Sequence, residues 1–199
     1  MKISKKELLF MIRPQNPLAD RSAVRYLLYG IPFIIFFGTL THFIFAWSGN
    51  TVFVGLFVPI NESVWEHLKM SFWPTLVWFL LVFLFFREKG ELAAARLLLA
   101  AAAALFVCPL IIVTFFYTME GAFGIESLLV DGILFFLGII VGQVSAVHVY
   151  RYAEPNRLWL YVAAGFIVLF MAALISFTFW QPHLPLFLDK PTGTYGLGR

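Results

Sequence analysis

The residues best suited to chemistry in this chain are His42, His67 and His183, the carboxylates Glu62, Glu66 and Asp131, and Lys69 among them. Imidazole nitrogen and carboxylate oxygen together make the donor set of zinc or another divalent metal, and three such ligands with an open fourth position activate water. No tight spacing of the HExxH kind joins these residues, so a site has to be assembled from distant stretches of chain. The densest stretch is NESVWEHLK, Asn61 to Lys69. Ser63 followed three residues later by Glu66 has the form of a capping box, which satisfies free amides at a helix start. Glu62, Glu66 and Lys69 are spaced by four and three, so a helix puts them on one face, where Lys69 can neutralise a carboxylate.

The elements that must position these groups are membrane helices. The 199 residues have a mean hydropathy of +0.89. They are 61% hydrophobic and only 13% charged, against about 25% charged in soluble domains. A hydrocarbon core about 30 Å thick needs about 20 helical residues, and five apolar runs qualify: Arg25 to Trp47, Ser63 to Phe86, Leu92 to Thr118, Ser127 to Tyr150 and Arg157 to Trp180. None alternates with the period of two that a barrel strand requires. The expected fold is therefore all-α, a polytopic bundle of five transmembrane helices. It follows a basic arm at 1–24, occupies 25–180, and ends in a tail at 181–199 that folds over the bundle. Pro32, Pro74 and Pro109 interrupt three helices and should kink them. The first run is too long for a signal-peptide core, so it is expected to remain in the mature protein.

Charge sets the expected orientation. Of the fourteen Lys and Arg, eleven fall before the first run or around the second and fourth turnarounds. Lys69, Lys190 and Arg199 lie on the other side, so the N-terminus is placed in the cytoplasm and the C-terminus outside. The pI of about 9.1 reflects these topology signals and not a nucleic-acid stripe; the expected partner is the lipid bilayer, with a lipid-type or small-molecule ligand and no nucleic acid. Ile3 to Ile12 has the composition of an interfacial amphipathic helix and equally that of a solvated basic arm. Thr51 to Ile60 is apolar but too short to span, and should lie in the interface or dip into the bundle.

On this topology His42, Glu62, Glu66, His67, Lys69, Asp131, His183 and Asp189 come from four segments yet share one membrane depth. Asp131 belongs to a stripe with Phe135, Gly138 and Gly142, and the GxxxG pair is a close-packing surface, so Asp131 should point inward. His148 lies off this group with an interfacial role, and the single Cys108 is read as a small packing residue.

The pattern of His42 and WSGN (Trp47 to Asn50), then VGLFVPINESVWEHLK, then FTFWQPHLPLFLDKPTGTYG resembles a family of small uncharacterised bacterial integral membrane proteins, a domain of unknown function. The resemblance covers nearly the whole chain from the first helix. It implies a bacterial cytoplasmic membrane protein of about five helices and supplies no activity. A looser likeness links the histidine and aspartate set to membrane hydrolases of the alkaline ceramidase type. This chain is short for their seven helices and lacks their paired-histidine final helix.

The leading functional expectation is a metal-dependent hydrolase or transferase working at the outer face on a lipid-type substrate. His42, His67 and His183 would be ligands, Asp131 a ligand or orienter, and Glu66 or Glu62 the general base. The alternatives are a small permease or ion-binding module with Asp131, Glu66 and Lys69 as relay, and a structural or assembly subunit whose polar cluster only locks the bundle.

Overall fold

The computed structural model describes residues 17–87 and 94–197. The expected interfacial helix at Ile3 to Ile12 lies outside them. Among the described residues five helices are long and apolar enough to cross a membrane, which makes this a multi-pass membrane protein. They are α1 (Pro17–Trp47), α3 (Val64–Arg87), α4 (Ala94–Phe123), α5 (Leu128–Tyr152) and α6 (Arg157–Ser176). A one-turn helix, α2 (Val52–Gly55), lies between α1 and α3. The first helix starts at Pro17, about two turns before its apolar run, and Pro is suited to a first turn because its missing N–H would be unpaired there anyway. Hydropathy marks only the lipid-immersed part of such a helix.

The helices α1, α3, α4 and α5 form a closed ring of neighbours, and α6 packs on α4 and touches α3 more lightly. The most extensive seam is between α4 and α5. A methyl group on Gly138 would come within 2.8 Å of Ile112, and one on Gly142 within 3.0 Å of Cys108. The GxxxG stripe thus meets a complementary surface of small and branched residues, as lipid-immersed helices require when no hydrophobic drive brings them together. Leu27, Ile34, Phe72, Phe79, Ala100 and Ile139 fill the interior. Phe36, Leu80, Phe106 and Leu169 project outward, where the bilayer takes the place of a core.

Five crossings put the start of α1 and the C-terminal tail at opposite ends. At the tail end, α1 stops in the WSGN turn. Gly49 and Asn50 both take left-handed φ values, 69° and 60°, a conformation open to Gly and tolerated by Asn. The amides of Ser48 and Asn50 then return to the carbonyls of Ile44 and Phe45. The following loop tucks inward, burying Gly55, Val58 and Pro59. The tail forms a one-turn 3-10 helix (Pro185–Phe187) and a two-residue antiparallel pair, β1 (Leu188–Asp189) with β2 (Thr194–Tyr195). Phe187 is buried against Trp65 and Phe177, with ring centroids 4.9 and 5.2 Å apart.

Candidate functional site

Two polar groupings occupy the tail end. The inner one is built on Glu66 and Lys69, one turn apart on α3 and both with fully buried side chains. Their contact is 2.6 Å. The Lys69 ammonium also donates to the Gly55 carbonyl and the Thr178 hydroxyl, each at 2.8 Å, so its three N–H groups meet three acceptors. Glu66 accepts in addition from the Ile60 amide at 3.2 Å and the Gln181 side-chain amide at 3.0 Å. Gln181 passes the connection on, its carbonyl accepting from the Gly196 amide at 2.6 Å. One ion pair therefore joins α3, the α2 loop, the end of α6 and the tail.

The capping box is only half formed. The Ser63 hydroxyl accepts from the Glu66 amide at 3.3 Å, but Lys69 draws the Glu66 carboxylate inward, and the Ser63 amide donates to Asn61 Oδ1 at 3.0 Å instead. Asn61 also donates to the Gly196 carbonyl at 3.0 Å. Glu62 precedes the helix start at Val64, so it does not continue the face of Glu66 and Lys69; its side chain turns toward α1.

The outer grouping is His42 on α1 with Glu62 and His67. Glu62 Oε1 lies 3.8 Å from His42 Nε2, and Oε2 lies 3.4 Å from His67 Nε2. All three ligand-type atoms are within 4.8 Å of one another, and the two imidazole centroids are 5.2 Å apart. His67 Nδ1 sits 2.9 Å from the Ser63 carbonyl oxygen, which can only accept. Nδ1 therefore carries hydrogen, and in the neutral ring Nε2 presents its lone pair toward Glu62. Once Nε2 also carries hydrogen, the His67 imidazolium donates to Glu62, and that form holds the Glu62 carboxyl below the usual carboxylate range, against burial, which works the other way. Backbone geometry supports the meeting of α1 and α3: a methyl on Gly38, one turn before His42, would come within 2.5 Å of the Met70 carbonyl oxygen and 2.8 Å of the Phe135 ring.

His42 and Glu62 line a cleft of about 550 Å³ whose far wall is the tail, with Asp189, Thr192, Thr194 and Gly196. Asp189 is buried. Its carboxylate accepts the Glu62 amide at 3.1 Å and the Thr192 hydroxyl, so the tail fixes the backbone that carries Glu62. The sequence reading placed Asp189 at this depth without a role. Gln181 and Asn61, whose amides bridge the tail to α3, it did not single out, and the only signal was their position at segment ends.

The remaining residues lie apart from this trio. Asp131, partly buried in the first turn of α5, is within electrostatic reach of His67 and Lys190 but makes no ion pair among the described residues. His183 is exposed and stacks on Tyr195, with centroids 4.5 Å apart. Lys190 in the tail turn pairs with Glu120 at 2.6 Å and Glu126 at 3.5 Å, clamping the tail to the end of α4. Burial alone would lower its pKa, yet these carboxylates hold the ammonium above the usual lysine range. His148 is exposed near the opposite end of α5, against Tyr152.

Residues 18–197 match the model of a family of unknown function, DUF6512, and the chain belongs to that family. No curated protein and no solved structure matches it.

Proposed function

We propose that this protein is a divalent-metal-dependent membrane enzyme of the hydrolase or transferase class, with its site at the outer face of a bacterial cytoplasmic membrane. His42, His67 and Glu62 serve as the protein ligands. The observation that carries the reading is the convergence of these three side chains, two of which, His42 and Glu62, line the cleft. Ligands bound to zinc at 2.0–2.2 Å stand about 3.3–3.6 Å apart at the corners of a tetrahedron. The 3.4 Å separation of His67 and Glu62 meets that spacing; the 3.8 Å separation of His42 and Glu62 uses the other carboxylate oxygen, and with one atom from each residue the three lie within 4.8 Å of one another, so binding has to draw them together by up to about 1 Å. Two imidazoles and one carboxylate leave a coordination position open toward the cleft, the pattern of catalytic and not structural zinc. The hydrogen bond from His67 Nδ1 to Ser63 is the outer contact that orients a ligating imidazole.

When bound, such an ion lowers the pKa of a coordinated water to about 7 and polarises an acyl or phosphoryl oxygen. The chain's own contribution is to aim the ligands. Asp189 holds the Glu62 backbone. Glu66 and Lys69 act as the lock beneath the site. Their full burial and complete hydrogen bonding also weigh against a proton relay, which would need them to exchange with water.

Metal analysis of purified protein and of its His42→Ala and His67→Ala variants tests the proposal. About one zinc per chain in the parent, weakened at least tenfold in either variant, is the expected result. An absence of stoichiometric metal, with both variants retaining the cellular role, would remove the enzyme reading.

A further inference from the structure

The tail wall of the cleft has a fixed hydrogen-bonding polarity that bears on what enters it. Asp189 and Thr194 stand directly opposite each other in the β1–β2 pair, so their side chains share one face of the ribbon, and Thr192 joins them from the turn between the strands. All three line the cleft. The other cross-strand pair, Leu188 with Tyr195, takes the opposite face, where Tyr195 stacks on His183.

The hydrogens along this face can be assigned one by one. A carboxylate only accepts, and the two oxygens of Asp189 take the Glu62 amide and the Thr192 hydroxyl. Thr192 thereby spends its single hydrogen. The 2.7 Å contact between the Thr192 and Thr194 hydroxyls can then form only with Thr194 as donor. Thr192 also accepts the Thr194 amide at 3.3 Å, which fills its second lone pair. Thr194 has given its hydrogen inward as well, and it keeps two lone pairs with no donor among the described residues. An isolated hydroxyl both gives and accepts. This one, at the exposed end of a chain anchored on a buried carboxylate, can only accept. The charge at the far end polarises each oxygen along the chain, which strengthens the last acceptor.

We propose that Thr194 is a specificity-determining acceptor of the cleft, selecting a substrate that carries a free hydroxyl beside an apolar body. The hydroxyl donates to Thr194 Oγ1, and the apolar part meets Phe45, Val52 and Pro59 on the other walls. An ether, carbonyl or phosphate oxygen in the same place would set acceptor against acceptor, and a site made to pair a hydroxyl rejects the analogue that lacks it. This names the substrate class of the site assigned above and rests on that reading for its chemistry, whereas recognition of the hydroxyl uses the tail and does not require the metal.

The test uses the full chain in a detergent without hydroxyl groups. The probe is the monobutyl ether of glycerol, which is soluble and resists hydrolysis; its dimethyl derivative, which keeps every oxygen but has no hydroxyl, is the comparison. Binding is read by saturation-transfer NMR on the probe signals, with and without a chelator. Saturable binding of the glycerol ether is expected, about three- to tenfold tighter than that of the methylated ether, the range of one hydrogen bond to a neutral acceptor. Thr194→Val should weaken the glycerol ether to the level of the methylated one while leaving the methylated one unchanged, as an intact cleft requires. Thr194→Ser should keep the preference of the parent. No saturable binding of the glycerol ether, a preference that survives in Thr194→Val, a loss shared by Thr194→Ser, or equal weakening of both ethers would overturn the inference. The expected preference in a protein that binds no zinc would remove the metal reading alone, and zinc held by His42 and His67 without the preference would remove the hydroxyl subsite alone.

Discussion

Lys69 is the residue whose environment permits the least change. Its charge is buried, and each of its N–H groups has a partner in a different segment. Removing one member of such a pair leaves an uncompensated charge, which costs about 3–5 kcal/mol. Lys69→Ala should therefore destabilise the protein by that amount in thermal unfolding, and Lys69→Met combined with Glu66→Leu should recover much of the loss; a cost below about 1 kcal/mol for Lys69→Ala would contradict the lock. His42 and His67 sit in a looser setting, partly exposed, where substitution should reach ligand binding before stability. At this scale the sequence named the residues of interest but neither their division nor the separate positions of Asp131 and His183. Glu62, Glu66 and Lys69 share a face only if all are helical, and Glu62 lies two residues before the helix starts. The split into a buried lock and a cleft-side trio follows from that boundary, and boundaries are the least legible feature of a sequence.

At the scale of elements, the site depends on how closely α1 and α3 approach. Gly38 is where the α1 backbone meets the Met70 carbonyl, one turn below His42. Gly38→Ala should push the helices apart and separate His42 from His67, lowering divalent-metal affinity at least tenfold while the helix content seen by circular dichroism stays constant. Unchanged affinity would mean that the trio does not depend on this seam. The five spans were legible because lipid imposes a minimum apolar length on every crossing helix, and GxxxG on α5 marked a real seam because small residues alone allow that approach. The order of helices around the ring was not legible, since their outward faces are almost equally apolar. Nor was the seating of the tail. Its anchors, Gln181, Asp189 and Gly196, use amide, carboxylate and backbone groups that in sequence look like any Pro- and Gly-rich loop.

For the whole molecule, the tail joins chemistry to architecture, since one wall of the cleft belongs to it and so does the contact that fixes Glu62. The clamp of Lys190 on Glu120 and Glu126 has a definite pH signature. Because the folded protein holds the Lys190 ammonium above the usual lysine range, the contribution is fully present below that range and is lost as pH rises through the elevated value. Half-exposed ion pairs of this kind contribute about 0–1 kcal/mol, so the effect should be local. Hydrogen exchange of residues 181–197, corrected for its intrinsic pH dependence, should stay protected through neutral and mildly alkaline pH and loosen only beyond the ordinary lysine range. In Lys190→Met the alkaline step should vanish. A step of equal size in that variant would assign it to another group. The measurement that reaches the central claim most directly is X-ray absorption at the zinc edge of metal-loaded protein. The account predicts a first shell of nitrogen and oxygen at about 2.0–2.1 Å, with the outer-shell signature of two imidazoles, falling to one in His42→Ala. A shell of oxygen alone, or a two-imidazole signature that survives in both His42→Ala and His67→Ala, would contradict it.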